Sequence, residues 1–243
     1  MAAPLETEAV VTGRAQLGGG RHLITMAAPE VARTATPGQF AMLRCAEGWD
    51  PYLRRALPFL HLEEESVSFL FAPDDPGLDW LARRSLGERV SLIGPLGRGF
   101  DLRRGIRRLL LATVTGPVGP LLGLAARALA MDVNVSLLLE PMAARDLAAI
   151  VPGAVEVIPA PAASLWEMAA GQLAWADQVA IAAPVEELPR WGGPALSGKV
   201  QCFVEKRLAC GVGWCGSCLA DTHRGPRRVC TGGPVFDLRE LIG

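Results

Sequence analysis

Short apolar runs alternate with turn residues through the first hundred positions of the chain. Residues 8–12, 22–26, 40–44, 66–72 and 89–93 read as strands, punctuated by glycine and proline at 18–20, 37–38, 73–77 and 94–99. Strands at this spacing predict an antiparallel barrel or sandwich, with 78–85 as one short helix interrupting it. After Asp101 the period changes. Apolar strands at 107–114, 132–139, 154–159 and 178–183 alternate with helical stretches at 120–131, 143–150 and 163–173. That alternation predicts a parallel sheet with crossover helices. From residue 196 the texture changes again, to a strand at 199–204 and a cysteine-rich loop. The expected fold is a multi-domain α+β chain: an antiparallel barrel over 1–101, an α/β parallel-sheet unit over 102–195 and a small C-terminal unit over 196–243.

The longest uncharged stretch, Leu109 to Ala126, has the length of a membrane span. Gly116, Pro117, Gly119 and Pro120 interrupt it and read as a sharp strand-to-helix turn, which assigns it to the α/β unit. The N-terminus carries Glu6 and Glu8 and lacks the basic and apolar regions of a signal peptide. A cytoplasmic location is therefore expected, where thiols stay reduced and clustered cysteines suggest metal before disulfides. A net charge of −1 and a pI near 6.3 give no electrostatic case for nucleic acid or an anionic membrane.

The cysteine loop reads Cys210-Gly-Val-Gly-Trp-Cys215-Gly-Ser-Cys218, and after eleven residues comes Cys230. C-x4-C-x2-C is the opening spacing of plant-type [2Fe–2S] ligation. Two bridged irons need four thiolates in pairs, and a short loop delivers three while a fourth arrives from a later turn. Gly211, Gly213 and Gly216 let the loop wrap at backbone angles closed to other residues and bring N–H groups to the sulfurs. The alternative is a zinc knuckle, but zinc usually takes two C-x2-4-C pairs or Cys/His sets, and His223 is a poor fourth ligand beside an available cysteine. Cys45 and Cys202 fall on predicted strands and read as small core residues.

Together with the upstream pattern, this loop resembles the iron–sulfur, flavin-containing electron-transfer subunit of the NAD-dependent dihydroorotate dehydrogenases, within the ferredoxin–NADP reductase superfamily. The matching residues are Pro37-Gly38-Gln39-Phe40, Leu53-Arg54-Arg55, the segment Gly94 to Phe100, the cysteine loop, and the tail Val229-Cys230-Thr-Gly-Gly-Pro234-Val235-Phe236-Asp237. The resemblance implies a flavin-type barrel, a nucleotide-type α/β unit and a small [2Fe–2S] unit. It implies an oxidoreductase component rather than a complete enzyme, relaying electrons between NAD, FAD and the cluster and a flavoenzyme catalytic subunit in pyrimidine synthesis. No nucleic acid or membrane partner is implied.

Carried over residue by residue, the resemblance puts FAD against Arg55, Ala56, Leu57 and Pro58, against Leu70, Phe71 and Ala72, and against Gly77 and Leu78. The family's Arg-Pro-x-Ser/Thr segment is Arg55-Ala-Leu-Pro58 here: the arginine stays for the pyrophosphate, while the hydroxyl is gone and Pro58 has no N–H to offer. A phosphate-binding Gly-Thr appears as Gly77-Leu78. The FAD site then rests on backbone contacts at 70–72 and Gly77, or the barrel is inherited scaffold. The family's glycine-rich nucleotide turn corresponds to Thr113-Val-Thr-Gly116-Pro117-Val-Gly119-Pro120, and its Cys-Gly-Pro to Ala182-Ala183-Pro184, a pattern that favours lost or weakened NAD(P) binding. Three functions stay open: an electron-transfer subunit, a self-sufficient NAD(P)H reductase with FAD and cluster, and a zinc-stapled or redox-sensing interaction module. The remaining signals have bland readings. Arg103, Arg104, Arg107 and Arg108 read as a solvated linker, Trp166, Trp175 and Trp191 as core, and Trp214 as packing, cluster shield or partner contact.

Overall fold

A computed structural model describes residues 4–113, 116–191 and 200–241, with 189–191 described by backbone alone. Six strands, β1 (Leu5–Gln16), β2 (His22–Ala27), β3 (Phe40–Leu43), β4 (Arg55–Leu62), β5 (Ser66–Phe71) and β6 (Arg89–Leu96), close into an antiparallel barrel in the order β1-β2-β5-β4-β3-β6. Their inward positions are apolar: Ala9 and Val11, Ile24 and Met26, Phe59, Phe69 and Leu92 form one buried cluster. Phe59 and Phe69 pack with ring centroids 5.4 Å apart, and burying each ring is worth about 1.5–3 kcal/mol. Two short helices, α1 (Pro29–Thr34) and α2 (Pro76–Ala82), add Val31 and Leu81 to the same core. The strands read from apolar runs do not include β4, which carries Pro58, a residue uncommon within strands. Pro58 sits where pairing to β3 ends and pairing to β5 begins, beside an irregularity in the ladder, and there a missing N–H is tolerated.

Beyond the barrel the chain runs through β7 (Arg108–Thr113), α3 (Gly119–Leu129), β8 (Asn134–Leu139), α4 (Pro141–Asp146), β9 (Glu156–Pro159), α5 (Leu165–Gln172) and β10 (Gln178–Pro184). After β11 (Val200–Glu205) come a small hairpin, β12 (Leu219–Ala220) and β13 (Arg227–Arg228), then α6 (Val229–Gly232), β14 (Val235–Asp237) and α7 (Leu238–Leu241). One six-stranded sheet has the order β14-β11-β10-β7-β8-β9, parallel except for β14. It therefore continues past the boundary expected at 195/196, which itself lies outside the described residues, and the cysteine loop is an excursion between two of its strands.

Both faces of this sheet are covered, which explains its continuous apolar runs. Leu110, Ala112, Val179, Ile181 and Cys202 face a core shared with Leu165 and Ala169 of α5. Leu109, Leu111, Ala180 and Phe203 face the other side, against Leu121, Leu122 and Ala125 of α3. The long uncharged stretch is thus a buried strand followed by a buried helix, and no helix among the described residues is long and apolar enough to cross a membrane. Trp175 is half-buried against this core, whereas Trp166 is 38 % exposed and corrects the core expectation. The Trp191 side chain lies outside the described residues.

Barrel and sheet meet closely. A Cβ at Gly123 of α3 would stand 2.6 Å from the Leu60 carbonyl oxygen, so only glycine lets the helix approach β4. Several motif residues are part of the same joint. Gly38 packs on Phe100 and Val235, the Gln39 amide donates to the Gly97 carbonyl at 2.7 Å, and Gly97, at φ +74°, lies against Pro234. The basic knot is tied internally: the Asp177 carboxylate accepts from the N–H groups of Arg107 (2.9 Å) and Arg108 (3.0 Å).

Candidate metal and cofactor sites

The hairpin explains why eleven residues separate the last two cysteines. β12 and β13 pair Leu219 with Arg228, and the Val229 N–H donates to the Cys218 carbonyl at 2.8 Å, so Cys230 arrives beside Cys218. The Cys218 thiol is near enough to Cys230 to disfavour its ionisation. Cys210 and Cys215 form a second pair, the Cys215 N–H lying 3.5 Å from the Cys210 sulfur. Cys218 and Cys230 are 2 % and 1 % exposed, Cys210 is half-buried and Cys215 is exposed. Burial, with help from the neighbouring Cys218, pushes the Cys230 thiol up to about 12. The Ser217 hydroxyl and N–H, with the Cys210 contacts, hold the Cys215 thiol down to about 6.

Loop glycines make this arrangement possible. Gly211, Gly213 and Gly216 have φ of +70°, +83° and +71°, a region costly for other residues. The Gly213 N–H points at the Cys230 sulfur. A Cβ at Gly211 would lie 2.6 Å from Cγ of Met42 in β3, and one at Gly213 would lie 2.9 Å from the Thr231 methyl. Among the described residues no three His, Cys, Asp or Glu side chains converge as a single-ion site requires. Four thiols standing as two pairs, with N–H groups aimed at sulfur, fit the donor set of a two-iron cluster. Trp214 projects from this loop at 89 % exposure, with Val212 exposed beside it.

The loop's support leads to the candidate flavin segment. Met42 pairs with Ala56 across the β3–β4 ladder, and Phe40, Met42, Leu96 and Ala56 join the apolar cluster that holds Cys218 and Cys230. Leu57 is buried inside the barrel, as is Phe71, whose ring stacks on His22 at 6.0 Å. Leu70 is half-buried beside Gly119 at the start of α3, and Ala72 is exposed. The structure therefore pairs the strands that carry 55–58 and 70–72 and sets Arg55 against Gly77, while Leu57, Phe71 and Leu78 pack into the barrel core. It also adds a residue the sequence reading passed over. Asp75 caps α2, accepting from the N–H groups of Gly77 (2.7 Å) and Leu78 (3.0 Å), and its carboxylate is bonded to Arg55. Asp-Pro at a helix start was the available signal. Burial raises the Asp75 carboxyl, but Arg55 and the two N–H groups outweigh it and hold the group below the ordinary carboxylate range. At the pyrophosphate end of this segment, the Arg55 Nε is thus already partnered by a carboxylate.

In the nucleotide-type turn, Val114 and Thr115 lie outside the described residues. Thr113, buried, donates its hydroxyl to the Gly116 carbonyl at 2.9 Å. Gly116 sits so tightly on the Ala182–Ala183 backbone that a Cβ would stand 2.6 Å from the Ala182 carbonyl carbon. Pro120 removes one N–H donor from the first turn of α3, and Pro117 another from the turn before it. Cys45 lies just past β3 and Cys202 on β11, both buried, and burial raises both thiols.

Comparison with known proteins agrees with this architecture. Residues 205–242 match the family model described as the iron-sulfur cluster binding domain of dihydroorotate dehydrogenase B. Among curated proteins, the dihydroorotate dehydrogenase B (NAD(+)) electron transfer subunit of Bacillus cereus (strain B4264) is 26% identical over 96% of this chain and 97% of its own length. That of Bacillus mycoides (strain KBAB4) is 25% identical over the same shares. Among solved structures, an NADH-dependent reduced ferredoxin-NADP oxidoreductase aligns with a TM-score of 0.78 at 15% identity, covering 97% of this chain and 90% of the other. Phthalate dioxygenase reductase aligns with a TM-score of 0.59 at 13% identity, covering 82% and 68%. The fold is that of the ferredoxin reductases, with an iron–sulfur binding unit at its C-terminal end.

Proposed function

We infer that this chain is an electron-transfer subunit related to those of dihydroorotate dehydrogenase B, carrying a [2Fe–2S] cluster on Cys210, Cys215, Cys218 and Cys230. The observation that carries the reading is the seat of the cysteine loop. Gly211 rests on Met42, which pairs with Ala56 of the candidate flavin strand, so the two candidate redox sites share one wall of the barrel. A bound cluster supplies one-electron transfer, and a bound flavin supplies exchange between one- and two-electron steps. The chain's own residues do the rest. Gly213 aims its N–H at the Cys230 sulfur, which favours the reduced, more negative state, and Cys218 and Cys230 are kept from water. Exposed Trp214 and Val212 mark the outward side of the loop, where a partner has access to the cluster.

The partner we propose is a flavoenzyme catalytic subunit of the dihydroorotate-oxidising kind, because similarity to the electron transfer subunits runs the length of the chain. FAD belongs to the barrel in this reading, at 55–58, 70–72 and 77–78, and the substitutions at the glycine positions of the nucleotide-type turn make NAD(P)H the weaker donor. The test is anaerobic purification with assays for iron, acid-labile sulfide, zinc and flavin, followed by mixing with a dihydroorotate dehydrogenase catalytic subunit. Bleaching of the cluster spectrum by dihydroorotate only in the mixture supports the relay. Stoichiometric zinc without sulfide sinks it, and bleaching by NADH in the chain alone transfers the case to a self-sufficient reductase.

A further inference from the structure

Arg55 is the only cation among the candidate flavin residues 55–58, 70–72 and 77–78, and the contacts of the fold already engage its Nε and one N–H of its Nη1. Its Nε donates to both carboxylate oxygens of Asp75, at 2.9 and 2.8 Å, and its Nη1 donates to the Leu53 carbonyl. A guanidinium offers an oxyanion two forked edges, Nε with Nη2 and Nη1 with Nη2. Here each edge has one nitrogen committed. One face is closed as well, since a Cβ at Gly77 would stand 2.9 Å from the Arg55 Cζ.

The pair is partly buried, its side chains 21 % and 35 % exposed, and Asp75 is anchored from behind by Gly77 and Leu78. This is a fixed contact rather than a loose surface ion pair. Its charges sum to zero, so it offers an incoming anion little attraction. The surroundings add negative charge: Asp74 is adjacent, and Glu205, at the end of β11, has its carboxyl raised by burial and by Asp74.

We propose that Asp75 is an internal competitor for Arg55, so that pyrophosphate-bearing ligands reach its Nε edge only by displacing the carboxylate. The inference rests on the barrel as a flavin site and names what governs it: Asp75 selects against the dinucleotide end and leaves the isoalloxazine end untouched. Displacement exchanges two charge-assisted contacts for new ones with phosphate, so the net affinity for FAD is lower than the intact arginine alone would give.

Calorimetric titration of the full, cluster-loaded chain with FAD, ADP and riboflavin tests this, using wild type, Asp75→Asn and Asp75→Gly. Asn keeps an oxygen to cap α2, which guards against a folding artefact, and melting curves confirm that both variants are folded. FAD and ADP should bind at least tenfold tighter to both variants, and riboflavin should stay within twofold. Adding Arg55→Ala to Asp75→Gly should abolish the gain. If ADP gains and FAD binds none of the proteins, the competition stands and the flavin reading falls. If FAD binds wild type and folded variants alike, the flavin reading stands and the competition is wrong. Unchanged or weaker binding of both FAD and ADP in folded variants also overturns it.

Discussion

The cysteine loop and the flavin-type segment lie on the same wall of the barrel, yet they treat their donors in opposite ways. In the loop, glycines hold the chain open and the Gly213 N–H is left for a sulfur. At the flavin segment, the corresponding polar groups are already spent on the protein itself. Arg55 and the N–H groups of Gly77 and Leu78 go to Asp75, and in the nearby nucleotide turn the Thr113 hydroxyl goes to Gly116. A site stays ready for a ligand where donors are left unspent. Where a side chain has taken them, the ligand must compete.

The largest effect expected is on the open side of this contrast. Cys215→Ser should reduce iron and sulfide from about two per chain to a small fraction of that, with the barrel still folded by circular dichroism. Unchanged iron content would show that the ligands are misassigned.

Gly211→Ala and Gly216→Ala separate backbone freedom from packing. Both have positive φ, but only at Gly211 does a Cβ meet a neighbour, Met42, while Gly216 faces open space. Gly216→Ala should cost about 1–2 kcal/mol from conformation alone, and Gly211→Ala about 1–2 kcal/mol more. Denaturant midpoints measure both, and equal losses would remove Met42 as the seat of the loop.

On the closed side, Thr113→Val removes the hydroxyl that satisfies the Gly116 carbonyl. A loss of about 1 kcal/mol is expected, read by urea unfolding. No loss would mean the turn is not held by this bond.

The smallest effect concerns pH. Asp75 titrates in the folded chain below its ordinary value of 3.8. Its contribution to stability is therefore complete above that value and is lost as pH falls through the lower folded one. Urea midpoints between pH 5 and 2 should fall less steeply in Asp75→Asn than in wild type, by under about 1 kcal/mol for a pair that water still reaches in part. Identical slopes would mean the ion pair does not persist in solution.

Much of this was legible in advance because it is local. Strand and helix periods gave the barrel strands except β4, and they gave the alternation of the sheet, since burial on one or both faces writes itself into the spacing of apolar residues. Cysteine spacing singled out the four thiols proposed as ligands, because a short loop around a cluster would constrain neighbours in sequence. Other features were hidden because they join distant segments. β4, which carries Pro58, emerged only once its partners on both sides were known. Gly38, Gln39, Gly97 and Pro234 read as motif residues, but their contacts make them one joint between barrel and sheet.

By itself, then, the sequence determined the periods, the spacing of the four clustered cysteines and the absence of hydroxyls and glycines from the nucleotide-type segments, all of which follow from residue type and short-range geometry. Only the tertiary structure decided that the thiols stand in two pairs, that the cysteine loop rests on Met42 beside the candidate flavin strand, and that Arg55 is already partnered. An arginine in a sequence is a charge available to anything. What it binds is fixed by which carboxylate the fold brings within about 3 Å, and Asp75 lies twenty residues away along the chain.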